Sequence, residues 1–261
     1  YEMQFGLVGS EDVYKRQSQH LIGGAEYMSS QNIFYRLEVY KKTFDNLLTV
    51  KQENPNTFEE SNSTDTTLNE FWDTKGNSWG IELLLKKSSG KLNGWLGYTF
   101  SEANYYNEPS GWHHPNFDRR HTLNFILNYD LTDDIQTNFG LTMSSGNPYT
   151  KILGRVYDWR QNLDSETYWY PVDSYIIGEK NTERYDKYFR IDVGMTRKKG
   201  KIFGFNYDTY WQIMNVTKHL NVLSYAYRTK TAPFTGNRVG VERRAVPMFP
   251  LIITFGIKFD F

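Results

Sequence analysis

The sequence predicts an all-β chain that forms part of a transmembrane antiparallel β-barrel. Three observations predict it. Apolar and polar residues alternate with period two along most of the 261 residues, aromatic residues make up 17% of the chain, and short polar links alternate with long loops. Helical i, i+3, i+4 patterns are scarce.

Nine strands are expected, at about 19–29, 33–46, 78–87, 92–101, 120–129, 135–144, 187–197, 202–214 and 250–261. The fifth, "RHTLNFILNYD", sets Leu123, Phe125, Leu127 and Tyr129 on one face and Thr122, Asn124 and Asn128 on the other, with Ile126 as the exception. The sixth opposes Phe139, Leu141 and Met143 to Gln136, Asn138, Gly140 and Thr142. The seventh opposes Phe189, Ile191, Val193 and Met195 to Arg190, Asp192, Gly194 and Thr196. The eighth opposes Phe203, Phe205, Tyr207 and Trp211 to Gly204, Asn206, Asp208 and Gln212. The ninth, "LIITFGIKFDF", alternates Ile253, Phe255, Ile257, Phe259 and Phe261 with Thr254, Gly256, Lys258 and Asp260. "KSSGK", "DLTDD" and "RKKGK" read as tight turns, whereas roughly 49–77, 102–119, 144–186 and 216–248 read as long polar and aromatic loops.

Composition narrows the class. Thirty basic and thirty acidic residues balance, which gives no electrostatic reason to expect nucleic acid. Cysteine is absent, excluding disulfides and thiolate zinc sites. Mean hydropathy is −0.66, and no stretch approaches the ~18 apolar residues of a membrane helix. Periodicity alone allows a soluble sandwich. The aromatic excess (20 Tyr, 17 Phe, 7 Trp) and the alternation of short and long connections favour a barrel in lipid, with Tyr and Trp at its interfacial girdles. Arg36, Glu38, Glu82, Lys86, Arg190, Asp192, Lys258 and Asp260 then face the lumen, their mixed signs giving no ion-selective ring.

Nine is odd, and nine strands leave two open edges, so a fragment of a larger barrel is expected. "DVYKRQ" at Asp12–Gln17 resembles the translated end of a sequencing-library adapter. Residues 1–17 are therefore read as non-native and 18–261 as the C-terminal part of the barrel; the same truncation accounts for the lack of a signal peptide.

"NFDRRHTLNFILNYDL" followed by "SSGNPYT" resembles the C-terminal barrel of TonB-dependent outer-membrane receptors, especially the Bacteroidetes-type ones. "YKKTFDNLL", "GIELLLKKSSGKLNGWLGYTFS", "YFRIDVGM" and "QIMNVTKHLN" resemble further stretches in the same order. The resemblance implies a parent barrel of about 22 strands with an N-terminal plug. It implies active uptake of a nutrient (siderophore, glycan, peptide or cofactor) at the outer membrane, driven by the TonB complex acting through the absent plug region. It also implies that barrel assembly machinery reads a terminal signal, here Phe255, Ile257, Phe259 and Phe261. A surface lipoprotein is a further expected partner. A passive porin or adhesin barrel is the alternative.

No resident cofactor or metal is expected. Adjacent His113 and His114 would point apart on a strand, and the sequence names no further ligands. An enzyme is not expected either, since no Ser–His spacing stands out. Asp118, Arg119, Arg120 and His121 sit where a loop enters a strand and are read as fixing that loop by charge-assisted hydrogen bonds. Gly146, Pro148 and Tyr149 read as a rigid loop start. Trp112, Trp159, Tyr168, Trp169 and Tyr170 lie in long loops, where they could stack on a substrate, pack loop on loop or meet headgroups.

Overall fold

The computed structural model describes residues 16–50, 71–161, 169–202, 205–231, 233 and 238–260. Its elements are all strands. In chain order they are β1 (Gln17–Met28), β2 (Ile33–Val50), β3 (Phe71–Lys87), β4 (Leu92–Asn107), β5 (Gly111–His113), β6 (His121–Asp130), β7 (Ile135–Ser144) and β8 (Pro148–Tyr149). They continue with β9 (Ile152–Gln161), β10 (Trp169–Ile177), β11 (Glu183–Arg184), β12 (Tyr188–Ile202), β13 (Phe205–Met214), β14 (Val222–Thr231), β15 (Arg238–Pro247) and β16 (Ile252–Asp260).

The nine expected strands form the main sheet, an antiparallel meander in the order β1-β2-β3-β4-β6-β7-β12-β13-β16, with β5 added to β4. Among the described residues the sheet is open, since β1 pairs only with β2 and β16 only with β13. β1 starts at Gln17, the last residue of the segment read as foreign, and pairs it with Asp45. The turn expected at RKKGK is instead part of β12, where Gly200 and Lys201 pair with Tyr207 and Asn206. Three short connections, at 29–32, 88–91 and 131–134, lie together at one end of the sheet. Two of them carry their own turn chemistry. Asn32 at φ 57° donates its N–H to the Ser29 carbonyl (3.0 Å), and the Thr132 hydroxyl accepts the N–H of Ile135 (3.1 Å).

The long connections differ from the loops expected. Those at 144–186 and 216–248 fold into β-hairpins, β9 with β10 and β14 with β15, while β8 and β11 form a two-residue ladder. β2 and β3 reach Val50 and Phe71, further toward the loop end than expected. These segments carry polar and aromatic residues on both faces, so their period-two signal is weak.

Register places the alternation. Residues directly opposite in a ladder share a face. One row runs Tyr27, Tyr35, Leu85, Leu96, Phe125, Leu141, Ile191. The next runs Ala25, Leu37, Leu83, Tyr98, Leu123, Met143, Phe189. Lower rows continue through Leu127, Phe139, Val193, Ile213, Ile253 and through Met195, Trp211, Phe255. Among the described residues no strand lies over this face: the substantial contacts between elements join ladder neighbours, plus β15 with β9. Large apolar side chains are accordingly exposed, Ile253 and Phe255 at 68%, and among the described residues the buried hydrophobic core is Ala103 and Tyr149. The opposite face carries Glu26, Arg36, Glu38, Glu82, Asn124, Thr142, Arg190 and Asp192, with ion pairs Arg36–Glu26 (2.7 Å) and Arg190–Asp192 (3.0 Å).

Glycines on the polar face admit tyrosine rings. Tyr40 lies across from Gly80, Tyr105 across from Gly76 and Tyr210 across from Gly256, each with its ring folded over the glycine. Such a ring covers backbone that a glycine leaves bare and pins the register. A Cβ at Gly80 would lie 2.6 Å from the Phe100 carbonyl oxygen and 2.7 Å from the Tyr40 ring, whereas one at Gly23 would meet nothing within 4 Å. Gly80→Ala is therefore expected to lower stability by about 1–3 kcal/mol in urea unfolding of the membrane-refolded protein. Gly23→Ala should be neutral or slightly stabilising. Equal effects would contradict the pairing.

Candidate functional site

At the end of the sheet opposite the short turns, one buried carboxylate ties three segments together. Asp118, 2% exposed, precedes β6. Its Oδ1 accepts the N–H of Ala103 on β4 (2.8 Å). Its Oδ2 accepts Arg120 Nε (3.2 Å) and, at very short range, Arg184 Nη2. Arg184 Nη1 also donates to the carbonyls of Asp118 (2.7 Å) and Gly146 (3.2 Å). Arg120 reaches on to Glu102 (2.9 Å) and donates to His114 Nε2 (3.2 Å). His114 Nδ1 donates to the Ala103 carbonyl (3.0 Å), which fixes the tautomer.

Of the four residues singled out from the sequence, only Asp118 and Arg120 share this network. Arg119 turns to Asn147 Oδ1 (2.6 Å) and Ser144 Oγ (3.3 Å). The His121 ring bonds the Tyr98 hydroxyl (2.9 Å), and the His121 backbone N–H donates to Ser145 Oγ (2.7 Å). Arg184 and Glu102 complete the network from positions that no local pattern marks, and His114, weighed from the sequence only as a metal ligand, joins them. Asn181, 4% exposed at φ 56°, adds a second tie by donating to the His114 carbonyl (2.6 Å) and to Asn116 Oδ1 (2.7 Å).

These ties set up an aromatic wall. The Tyr185 N–H donates to the Asn147 carbonyl (2.9 Å), and the backbone passes so close to Gly146 that a Cβ there would overlap the Tyr185 carbonyl oxygen. Tyr149 and Tyr185 then pack with ring centroids 4.6 Å apart. Tyr225 on β14 joins both, 5.2 Å from Tyr149 and 5.0 Å from Tyr185. Arg243 lies across the ladder from Tyr227, on the same face as Tyr225. It donates to the Tyr149 hydroxyl (2.6 Å) and holds its guanidinium 4.1 Å above the Tyr225 ring. Burial raises the Tyr149 and Tyr185 hydroxyls above the usual phenol range, at Tyr149 against the pull of Arg243.

Beside the wall opens a cavity of about 660 Å³. Its rings come from Trp72, Tyr149, Tyr185, Tyr225 and Tyr227, its amides from Asn116, Asn147 and Asn181, and its one charged side chain is Lys180. Desolvation pushes the Lys180 ammonium below the usual lysine range.

The loop aromatics singled out from the sequence, with substrate, loop packing or headgroups as their open roles, lie away from this cavity or outside description. Trp112, on β5, is 62% exposed, packs on Tyr106 (5.4 Å) and does not line the cavity. Trp159 pairs Pro171 in the β9–β10 hairpin, Trp169 and Tyr170 pair Gln161 and Arg160, and the side chains of all three fall outside the described set, as does Tyr168 altogether. His113, 8% exposed, bonds the Gly111 carbonyl (3.0 Å), and burial pushes its imidazole below the usual range. Among the described residues no group of three His, Asp or Glu is placed to hold a metal. Phe255, Ile257 and Phe259 are exposed on the edge strand β16, and Phe261 lies outside the described residues.

No protein-family model and no curated protein matches the chain. Among solved structures, the chain is similar to the ferripyoverdine receptor of the outer membrane of Pseudomonas aeruginosa bound to ferripyoverdine, at 12% identity and a TM-score of 0.47. The match covers 93% of this chain and 26% of that one, so the chain spans about a quarter of that receptor's length. A likeness at this level carries no functional information.

Removing the Asp118 carboxylate leaves Arg120 and Arg184 facing a buried vacancy. Asp118→Ala is expected to cost about 3–5 kcal/mol, the usual loss when one partner of a buried ion pair is deleted. Limited proteolysis between 144 and 187 should accelerate with it. Arg119→Ala, whose bond to Asn147 is exposed, should cost less than half as much. Similar losses in the two variants would contradict the central place of Asp118.

Proposed function

We propose that this chain is barrel wall from a TonB-dependent outer-membrane receptor for active nutrient uptake. The observation that carries the membrane part is the apolar face. It runs across nine hydrogen-bonded strands, is covered by no described element and backs onto a face of carboxamides, hydroxyls and ion pairs. A soluble sandwich would bury such a face under a second sheet. Outer-membrane lipid covers it without one, while the polar face meets a wet lumen. Strands of nine residues or more, tilted, span the hydrocarbon core. The short turns lie at the periplasmic end and the hairpins outside the cell.

The receptor part rests on the ordered motif resemblance and on the loop end, where a braced aromatic wall borders a cavity of ligand size. In this reading Asp118, Arg120 and Arg184 hold the extracellular segments in place, and substrate meets the Tyr149–Tyr185–Tyr225 wall. Energy would come from the TonB complex through a plug region outside this chain. Barrel assembly machinery would read the Phe255, Ile257, Phe259, Phe261 row, and a surface lipoprotein could cap the loops. In this reading the chain binds and transports, and no catalytic role is assigned to it.

Two readouts on the intact protein test the reading. Glu179→Cys, in an exposed loop, should react with an impermeant maleimide on whole cells, and Ser89→Cys, in an exposed short turn, should not. The reverse pattern overturns the topology. In a planar bilayer a plugged receptor gives no stable open conductance, so steady porin-like steps would favour the passive-channel alternative.

A further inference from the structure

The loop-end cavity has an uneven balance of donors and acceptors. Asn147 Oδ1 is taken by Arg119 and Asn116 Oδ1 by Asn181, and among the described residues neither Nδ2 group has a protein partner. Asn181 Oδ1 accepts from Thr150. Among the described residues the buried Tyr227 hydroxyl has no protein partner. Among them too, Lys180, half-buried on the cavity lining, makes no ion pair or hydrogen bond, and no carboxylate side chain lines the space. The cavity thus presents amide, hydroxyl and ammonium donors with its amide acceptors already engaged. Of these donors the Tyr227 hydroxyl is buried, and a buried donor left unmet costs about 1–3 kcal/mol, so the set is matched by a ligand that supplies acceptors. The Lys180 ammonium, unpaired among the described residues, asks for one of them to be anionic. The rest of the lining is aromatic, and ring faces bear negative charge that attracts the edge hydrogens of another ring or polarised C–H bonds. The volume falls within the ~300–1,000 Å³ of small-molecule sites, more than a bare inorganic anion needs.

We propose that this cavity binds a solute carrying a carboxylate on a six-membered ring, with Lys180 taking the carboxylate and the Tyr149–Tyr185–Tyr225–Tyr227 rings taking the ring. Acidic sugars and aromatic acids share that chemistry. The inference rests on the receptor reading for its biological meaning, since it names the class of substrate the loop end would capture. The binding itself is a property of the cavity.

The test is calorimetric titration of the purified intact protein in detergent with trigalacturonate, with neutral maltotriose and with benzoate. Trigalacturonate or benzoate should bind at least tenfold tighter than maltotriose, and the tighter of the two identifies the source of the carboxylate. Lys180→Met should weaken that binding tenfold or more, and Lys180→Arg should restore most of it, which a merely structural lysine would not do. Binding of maltotriose as tight as that of both acids, no binding of either acid, or an unchanged affinity in Lys180→Met would each overturn the proposal. Cysteine labelling on cells reads the receptor topology separately. Correct labelling without acid binding removes this inference alone, and acid binding with reversed labelling removes the receptor reading alone.

Discussion

The antiparallel register is the constraint on which the rest of the structure depends. Because side chains alternate, a slip of one residue between any two strands would carry a whole apolar set to the other face. The ladder prevents that by more than hydrogen bonds. Tyr40, Tyr105 and Tyr210 seat on Gly80, Gly76 and Gly256, and a slip would put each ring against a side chain instead. Charge reinforces the choice. In the membrane reading a slip would move residues such as Arg36 or Arg190 into hydrocarbon, at roughly 2–4 kcal/mol each near the midplane.

The register also delivers the loop end. β4 and β6 run side by side, which brings Ala103 and Asp118 within hydrogen-bond range although they belong to the two sides of a loop. Arg184, 66 residues further on, closes onto the same carboxylate and carries Tyr185 with it. A bulge in β2, where Asn46 sits at φ 57°, shifts the β2–β3 pairing before the strands run on past the main sheet, and Trp72 on that extension reaches the cavity. The NVTKHLN turn is built the same way. Asn221 bonds both the N–H and the carbonyl of Phe189 (2.8 and 2.9 Å), and Asn215 receives a bond from the His219 N–H (3.2 Å).

Much of the main sheet was legible in the sequence because each of its strands has one apolar and one polar face, and that contrast is what period two reports. Two of the three tight links were legible for the same kind of reason: Gly90 at φ 90° and the Thr132 turn use residues with a local job. The third, RKKGK, was misread from its glycine and charges, since it lies within β12. The hairpins β9–β10 and β14–β15 were not, because both of their faces carry mixed side chains. At the loop end, Asp118 and Arg120 stood out as a charged run, but their partner Arg184 lies in an unremarkable "TERYD". The cavity rings were hidden too. Trp72, Tyr185, Tyr225 and Tyr227 come from segments far apart in the chain, and only the fold brings them together; the tryptophans that drew attention from sequence, such as Trp112, were conspicuous for local density alone.

The account's central claim is that the two faces of one sheet meet different media. Trp211 sits in the apolar row with Met195 and Phe255, and Trp95 sits on the opposite face in the row of Ile126 and Asp192. Two variants of the intact protein, each keeping one of these tryptophans and replacing the others by Phe, can be reconstituted into bilayers of brominated lipid. The account predicts strong fluorescence quenching of Trp211 and little of Trp95. Equal quenching of the two, or quenching of Trp95 alone, would contradict it.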